Sequence, residues 1–257
     1  MLVVNGMRQA RRSRQSGCVG QTMQTTNVLP WHSELQRMLE RVRVEIAAAA
    51  HIDDVFWQVQ AIVVNNPAVN KAGVLQEWLR DMYVDSIAVR LRRLVDKDRN
   101  VVSLWRLLEG IKAKRTRVTR SWFRALWSPE LLDEADERFD MLAGPGAQYI
   151  SGEVVTSKQR ELVNALARVE EFANAHVAHH AMAPATTPTC FADVRNSLAV
   201  AFQVFNWSKL LIEASRWTSP VPVLQHNWTE VFRVPWLSTN KNVPVYRHLD
   251  QVVKAMP

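Results

Sequence analysis

The sequence predicts an all-α protein on three observations. Apolar residues recur every three or four positions over long segments, helix-capping residues precede several of these segments, and no alternating apolar and polar series suggests a strand. The chain has 257 residues, of which 47% are hydrophobic and 22% are charged. These values are ordinary for a soluble globular protein, and this length accommodates one large domain or two small ones.

The first half of the chain contains three long helical patterns. One opens near Ser33, and a second opens at Asp53 or Asp54. The second is the most strand-like part of the chain, because it is rich in β-branched residues. The strongest pattern covers residues 73–96, where an apolar stripe is formed by Leu75, Leu79, Met82, Tyr83, Ile87, Leu91 and Leu94.

Later helices also have start signals. Ser103 is expected to cap a short helix that ends near Gly110, and Pro129 suits the first turn of an acidic helix. A Gly- and Pro-rich segment near 144–156 is expected to form an internal loop. The other expected helices cover residues 158–181, residues 192–216, a short segment after Asn227 with Glu230 as its capping-box partner, and a short segment after Pro244.

We therefore expect one all-α domain over residues 27–257, with two subdomains that meet at the internal loop as the lesser alternative. Residues 1–26 contain four arginines and no acidic residue, which predicts a basic, disordered tail. Two other interpretations stay open: a native start at Met23, or a transit peptide in a eukaryotic source. The net charge is +7, and four of these charges are in the tail, so the charge is only a hint of a polyanionic partner.

Several function classes lose support from the sequence. The two cysteines, Cys18 and Cys190, form neither a metal-type pair nor a disulfide framework, so a reducing cytoplasm fits best. The sequence has no run of about 18 uncharged apolar residues, so no membrane span is expected. It also lacks the G-x-G-x-x-G, phosphate-loop, H-E-x-x-H and G-x-S-x-G motifs. No cofactor is predicted.

Three of the seven histidines lie in FANAHVAHH, residues 172–180. His176 and His180 are four residues apart, so they share a helix face, as zinc ligands can. A third ligand would have to come from Glu170, Glu171 or Asp193. Spacing alone is weak support, and histidines at a helix surface or C-terminus are the preferred interpretation. No metal site is predicted.

Cationic and aromatic residues interleave at Arg120, Trp122 and Arg124. This combination suits single-stranded RNA, because bases stack on rings and phosphates pair with cations. In the competing and preferred interpretation, this basic face meets the acidic helix over residues 130–140.

A second arginine cluster ends the helix over residues 73–96. Arg90 and Arg93 lie three residues apart on one face, where they either bind a phosphate or fix a corner between helices. The neighbouring Arg92 is expected to pair with Asp96 one turn later.

Three segments occur in an order that resembles a known family: LRRLVDKDRNVVSLWRLLEGI, ANAHVAHH and NWTEVFRVPW. Over about residues 35–237 the chain resembles the AbiU-type (abortive-infection) branch of the HEPN-like proteins. The resemblance implies an HEPN-like helical bundle, here with extra C-terminal helices, that forms a homodimer. It also implies a prokaryotic defence or toxin–antitoxin system, with RNA or a cognate antitoxin protein as the partner.

Active members of that family are metal-independent ribonucleases. Their motif is an arginine, four to six residues and then a histidine, and it commonly starts Arg-Asn. Matching His179 to the motif histidine puts Asn174 at the asparagine and Ala173 where the arginine is expected. The nearest upstream arginine, Arg168, is about 16 Å from His179 along a helix, which is too far to share one phosphate. The motif is therefore incomplete.

Two hypotheses follow. In the first, the protein binds RNA and is a candidate ribonuclease, with His179 and Asn174 as catalytic residues and Arg90 or Arg93 supplying the missing charge. In the second, it is a non-catalytic helical module whose tryptophan-rich surfaces bind a partner protein or a second copy.

Overall fold

Helices make up most of the part of the chain that the computed structural model describes, which is residues 29–66, 73–178 and 189–233. The α-helices within it are α1 (Pro30–Val64), α2 (Gly73–Val95), α3 (Leu104–Ala113), α4 (Arg120–Arg124), α5 (Leu132–Ala143), α6 (Gly152–Phe172) and α7 (Phe191–Glu213). Short 3-10 helices cover Pro129–Leu131 and Trp228–Arg233, and a π-helix, Ala173–Ala178, extends α6. These ranges contain no strand, so the predicted all-α class is confirmed.

Some sequence predictions lie outside the described residues. These are the basic tail over residues 1–26, the helix after Pro244, and the two histidines His179 and His180. In the ranges that are described, no helix is long and apolar enough to cross a membrane.

The prediction of two helices before Asn65 was wrong, because α1 is uninterrupted. Asp53 and Asp54, the expected caps, instead accept hydrogen bonds from side chains one turn later. Trp57 Nε1 donates to Asp53 Oδ1 at 3.1 Å, and Gln58 Nε2 donates to Asp54 Oδ2 at 2.6 Å. Residues 47–50, just upstream, are all alanine, the best helix former, and no glycine or proline ends the helix there.

Serine caps fix the starts of two later helices. Ser103 Oγ accepts a hydrogen bond from the Arg106 backbone N–H at 3.0 Å, so the predicted cap of α3 is confirmed. Ser151 caps α6 in the same way, and this helix begins at Gly152, six residues earlier than expected. The internal loop is therefore shorter than the predicted segment 144–156.

One hydrophobic core joins the longer helices. α1 packs against α2 and α7, and α6 packs against α2, α3 and α7. The core includes Ile46, Ile87, Leu91, Leu107, Leu162, Val204 and Phe205. α5 packs against α4, where the rings of Phe123 and Phe139 lie 5.5 Å apart. This packing brings the C-terminal end of α2 beside the end of α6 and the π-helix.

Candidate functional site

The described part of the histidine-rich segment, residues 172–178, lies where α6 ends. There the helix widens into the π-helix Ala173–Ala178, a rare geometry that often occurs at functional sites. Asn174 is half-buried, whereas His176 is exposed, with its ring 4.9 Å from the ring of Phe172. The candidate catalytic His179 follows this segment, outside the described residues.

An arginine from the neighbouring helix holds Asn174. Arg92 Nε, in α2, donates a hydrogen bond to Asn174 Oδ1 at 2.5 Å. The predicted pair between Arg92 and Asp96 does not form, because Arg92 faces the π-helix instead. Within the described part of the chain, the two Nη groups of Arg92 have no hydrogen-bond acceptor. Their N–H groups are therefore available to a phosphate oxygen.

Arg90 and Arg93 contact α1 and not Asn174. Arg90 Nη1 donates to Glu45 Oε2 at 3.1 Å, and Arg93 Nη1 lies 3.8 Å from the same oxygen. Two guanidinium groups thus share one carboxylate, which leaves one positive charge in excess on this face. The arginine that reaches Asn174 is Arg92, and phosphate binding by Arg90 and Arg93 stays a prediction.

Ala173, where the resembled motif has its arginine, is fully buried, with 0% of its surface exposed. Arg168 points elsewhere, since its Nη1 lies 3.1 Å from Asp193 Oδ1 near the start of α7. The position that a motif arginine would occupy, at the start of the π-helix, is therefore part of the core. An arginine for this site has to come from another helix, and α2 supplies one.

Arg120 and Arg124, two of the predicted RNA-contacting residues, pair with the acidic helix α5. Arg120 hydrogen-bonds both Asp136 and Asp140, and only 14% of its side chain is exposed. Arg124 hydrogen-bonds Asp136. These are the contacts that the competing interpretation predicted between the basic and acidic segments.

Trp122 is half-buried among aromatic rings. Its ring centroid lies 5.2 Å from that of Trp31 and 5.2 Å from that of His32. The packing of Trp122 and the ion pairs of Arg120 and Arg124 occupy these side chains inside the molecule. Contact of these three residues with nucleic acid stays a prediction and plays no part in the function proposed below.

Removal of the Asp140 charge is expected to make stability less sensitive to acid. The Arg120 guanidinium, together with the Gly146 backbone N–H, holds the pKa of Asp140 below its ordinary value. A carboxyl whose folded pKa is lowered stabilises the fold above its unfolded pKa, near about 4, and loses this effect as pH falls through the folded pKa. Asp140→Asn should therefore have a lower melting temperature than wild type at pH 7, and this difference in melting temperature should shrink toward pH 3. Melting followed by circular dichroism at several pH values measures this.

Glu137→Gln is the matched control for Asp140→Asn, because Glu137 is an exposed acid of α5 without an ion pair in the described structure. We expect the difference in melting temperature between Glu137→Gln and wild type to stay nearly constant with pH. A constant difference for Asp140→Asn as well would contradict a stabilising ion pair with Arg120.

Sequence reasoning missed Arg92 because Asp96, four residues later, offered it a nearby partner. Its actual partner, Asn174, is 82 residues away in the sequence, so no local pattern identifies it. In the described ranges, no group of three His, Cys, Asp or Glu side chains is placed to hold a metal ion. Comparison of the chain with protein-family models, curated proteins and solved structures gives no significant match.

Proposed function

We propose that this protein is a cytoplasmic, HEPN-like helical protein of a prokaryotic defence or toxin–antitoxin system, and that it binds RNA where Arg92 meets Asn174. The contact between these two residues carries the proposal. It brings an arginine from α2 to Asn174, which directly follows Ala173, the position where the resembled motif has its own arginine. The Nη groups of Arg92, which have no acceptor among the described residues, suit a phosphate oxygen, because a guanidinium group binds phosphate through charge and directed hydrogen bonds.

The same arrangement supports RNA cleavage without a metal. The 2′-oxygen attacks phosphorus, the bond to the 5′-oxygen breaks, and a cyclic phosphate forms. One histidine takes the proton of the 2′-hydroxyl, and a second gives a proton to the leaving 5′-oxygen. In a homodimer, His179 of each copy fills one of these roles. Arg92 stabilises the charge on the phosphorane, and Asn174 orients the arginine.

Substitution of Arg92 is expected to weaken RNA binding about tenfold, because one charge-assisted hydrogen bond is lost. Arg92→Ala should also reduce the slope of log affinity against log salt concentration by about one, the value expected for one lost phosphate contact. Fluorescence anisotropy with a labelled, mixed-sequence single-stranded RNA at two salt concentrations measures both effects. Arg216→Ala is the control, since Arg216 is exposed and unpaired in the described structure. An equal loss in both variants would contradict a site at Arg92.

Cleavage of the same RNA tests the catalytic part of the proposal separately. His179→Ala should abolish cleavage and retain most of the binding, and EDTA should have no effect. Loss of activity with EDTA would contradict the metal-independent mechanism. Unchanged cleavage by His179→Ala would remove this histidine as the catalyst, with RNA binding still measured independently.

A different observation favours the second function class, a non-catalytic interaction module. The first half of α2 exposes an apolar stripe of Val74, Leu75, Trp78 and Met82, with 40–82% of each residue accessible. Such a stripe suits a second copy of the chain. Light scattering over a range of concentrations measures the self-association. A dimer that binds no RNA at low salt would favour the module over the ribonuclease.

A further inference from the structure

An aromatic cavity lies between the second half of α1, the first half of α2 and the start of α7. Its volume is about 330 Å³, which is within the range of small-molecule sites. Phe56 and Trp57 from α1 and Phe191 from α7 form its apolar part. The rings of Trp57 and Phe191 meet edge to face, with their centroids 5.5 Å apart. Glu77 and Arg80 from α2 form its charged part.

Contacts with residues outside the aromatic cavity hold two of its rings in place. Trp57 Nε1 donates a hydrogen bond to Asp53 Oδ1 at 3.1 Å, and the Arg195 guanidinium carbon lies 4.3 Å from the Trp57 ring centroid. Phe56 stacks on Tyr83, with 4.0 Å between the ring centroids. The Tyr83 hydroxyl donates to the same Asp53 oxygen at 2.7 Å, which ties α2 to α1. The apolar wall is therefore rigid before any ligand binds, which lowers the entropic cost of binding.

The rim of the aromatic cavity has one charge of each sign. Glu77 and Arg80 are exposed and three residues apart, a spacing at which they could pair with each other. Arg80 instead donates from Nε and Nη2 to Asp81 Oδ1, at 3.2 and 3.1 Å. Within the described residues, Glu77 has no hydrogen bond or ion pair, and Arg80 Nη1 has no acceptor. A carboxylate and a guanidinium N–H are therefore both available to a ligand.

This combination of groups matches a zwitterion that also has a ring. A ligand with a single charge would pair with one rim residue and meet a like charge at the other. An α-amino acid has an ammonium and a carboxylate on the same carbon, so it satisfies both. An aromatic side chain suits the apolar wall, because rings pack edge to face or offset against each other. Gln60 also lines the cavity, and its amide, which has no partner in the described structure, can hydrogen-bond the ligand.

We propose that the aromatic cavity binds a free α-amino acid with an aromatic side chain. The ligand ammonium pairs with Glu77, its carboxylate pairs with Arg80, and its ring lies against Phe56, Trp57 and Phe191. The inference is independent of the RNA site proposed above, because neither residue of that site lines this cavity.

Calorimetry of the full chain with L-phenylalanine and three of its analogues tests the proposal. The analogues are phenethylamine, which lacks the carboxylate, 3-phenylpropionate, which lacks the ammonium, and glycine, which lacks the ring. We expect L-phenylalanine to saturate one site per chain. Each singly charged analogue should bind about tenfold more weakly, because one charge-assisted contact is lost. Glycine should bind more weakly still, since it buries no ring.

Substitution of each rim residue should affect only the ligands that carry its partner group. Glu77→Gln should weaken L-phenylalanine about tenfold without weakening 3-phenylpropionate, which has no ammonium to pair with Glu77. Arg80→Gln should likewise weaken L-phenylalanine without weakening phenethylamine. Both residues are exposed, so both variants should fold, and melting curves verify this.

The matched controls are Asp85→Asn and Arg216→Gln. They remove the same charges from exposed residues that do not line the aromatic cavity and have no ion pair in the described structure. An equal loss of L-phenylalanine affinity in the controls would overturn the assignment to this cavity. Absence of saturable L-phenylalanine binding would overturn the whole proposal. Glycine that binds as tightly as L-phenylalanine would overturn the role of the rings, and a singly charged analogue that does so would overturn the recognition of a zwitterion.

Discussion

Introducing at position 173 the arginine that the resembled motif has and this chain lacks is expected to unfold much of the protein and not to create a ribonuclease. Ala173 is fully buried, so Ala173→Arg places a guanidinium group in the core, where the described residues include no buried carboxylate. An uncompensated buried charge costs about 3–5 kcal/mol. Because the whole fold of a typical domain is worth about 5–15 kcal/mol, this is a large share. Urea denaturation followed by circular dichroism measures the loss.

His176→Arg is the matched control for Ala173→Arg. It adds the same side chain three residues later in the same π-helix, but at an exposed position. Its free energy of unfolding should stay within about 0.5 kcal/mol of wild type. Wild-type stability of Ala173→Arg would show that the residue at position 173 reaches solvent, which would contradict the burial of this helix face.

Two explanations of the incomplete motif predict different stabilities for Ala173→Arg. If the arginine were simply lost from an accessible position, restoring it would cost little stability. In the structure, the π-helix uses this position for core packing, and the arginine beside Asn174 comes from α2. The stability of Ala173→Arg and the RNA affinity of Arg92→Ala together test whether the positive charge beside Asn174 is missing or is supplied by α2.

Helix starts were predictable where a local cap specifies them. Ser103 caps α3 through a contact three residues away, and a contact at that distance is visible in sequence. Asp53 and Asp54 have the same capping chemistry, but their carboxylates bond Trp57 and Gln58 within a continuous helix. Capping residues permit a helix to start, but they do not by themselves end the previous one.

The candidate sites were less predictable than the helices, because they depend on contacts between distant segments. The complementary charges of the basic and acidic segments suggested the pairing of Arg120 with α5, and the structure contains it. No spacing rule links Arg92 to Asn174 across 82 residues.

Truncation of Phe139 is expected to lower the free energy of unfolding by about 3–5 kcal/mol, the usual cost of removing a buried phenyl group. Phe139 is completely buried in α5, and its ring lies 5.5 Å from that of Phe123. The Arg120 guanidinium carbon lies 5.1 Å from the Phe139 ring centroid. Phe139→Ala thus removes the largest buried side chain of α5 and leaves the carboxylates that bind Arg120 in place. Urea denaturation of this variant measures the apolar contribution.

Salt dependence then distinguishes packing from charge as the main attachment of α5. The ion pairs of Arg120 and Arg124 with α5 are partly exposed, so salt screens them, whereas the contact between Phe139 and Phe123 is insensitive to salt. The decrease in the free energy of unfolding caused by Phe139→Ala should therefore be the same at 0.05 and 0.5 M salt, to within about 0.5 kcal/mol. Met141→Ala, an exposed site on the same helix, should change stability by less than about 0.5 kcal/mol. A Phe139→Ala variant no less stable than Met141→Ala would show that the Phe139 ring does not stabilise the attachment of α5.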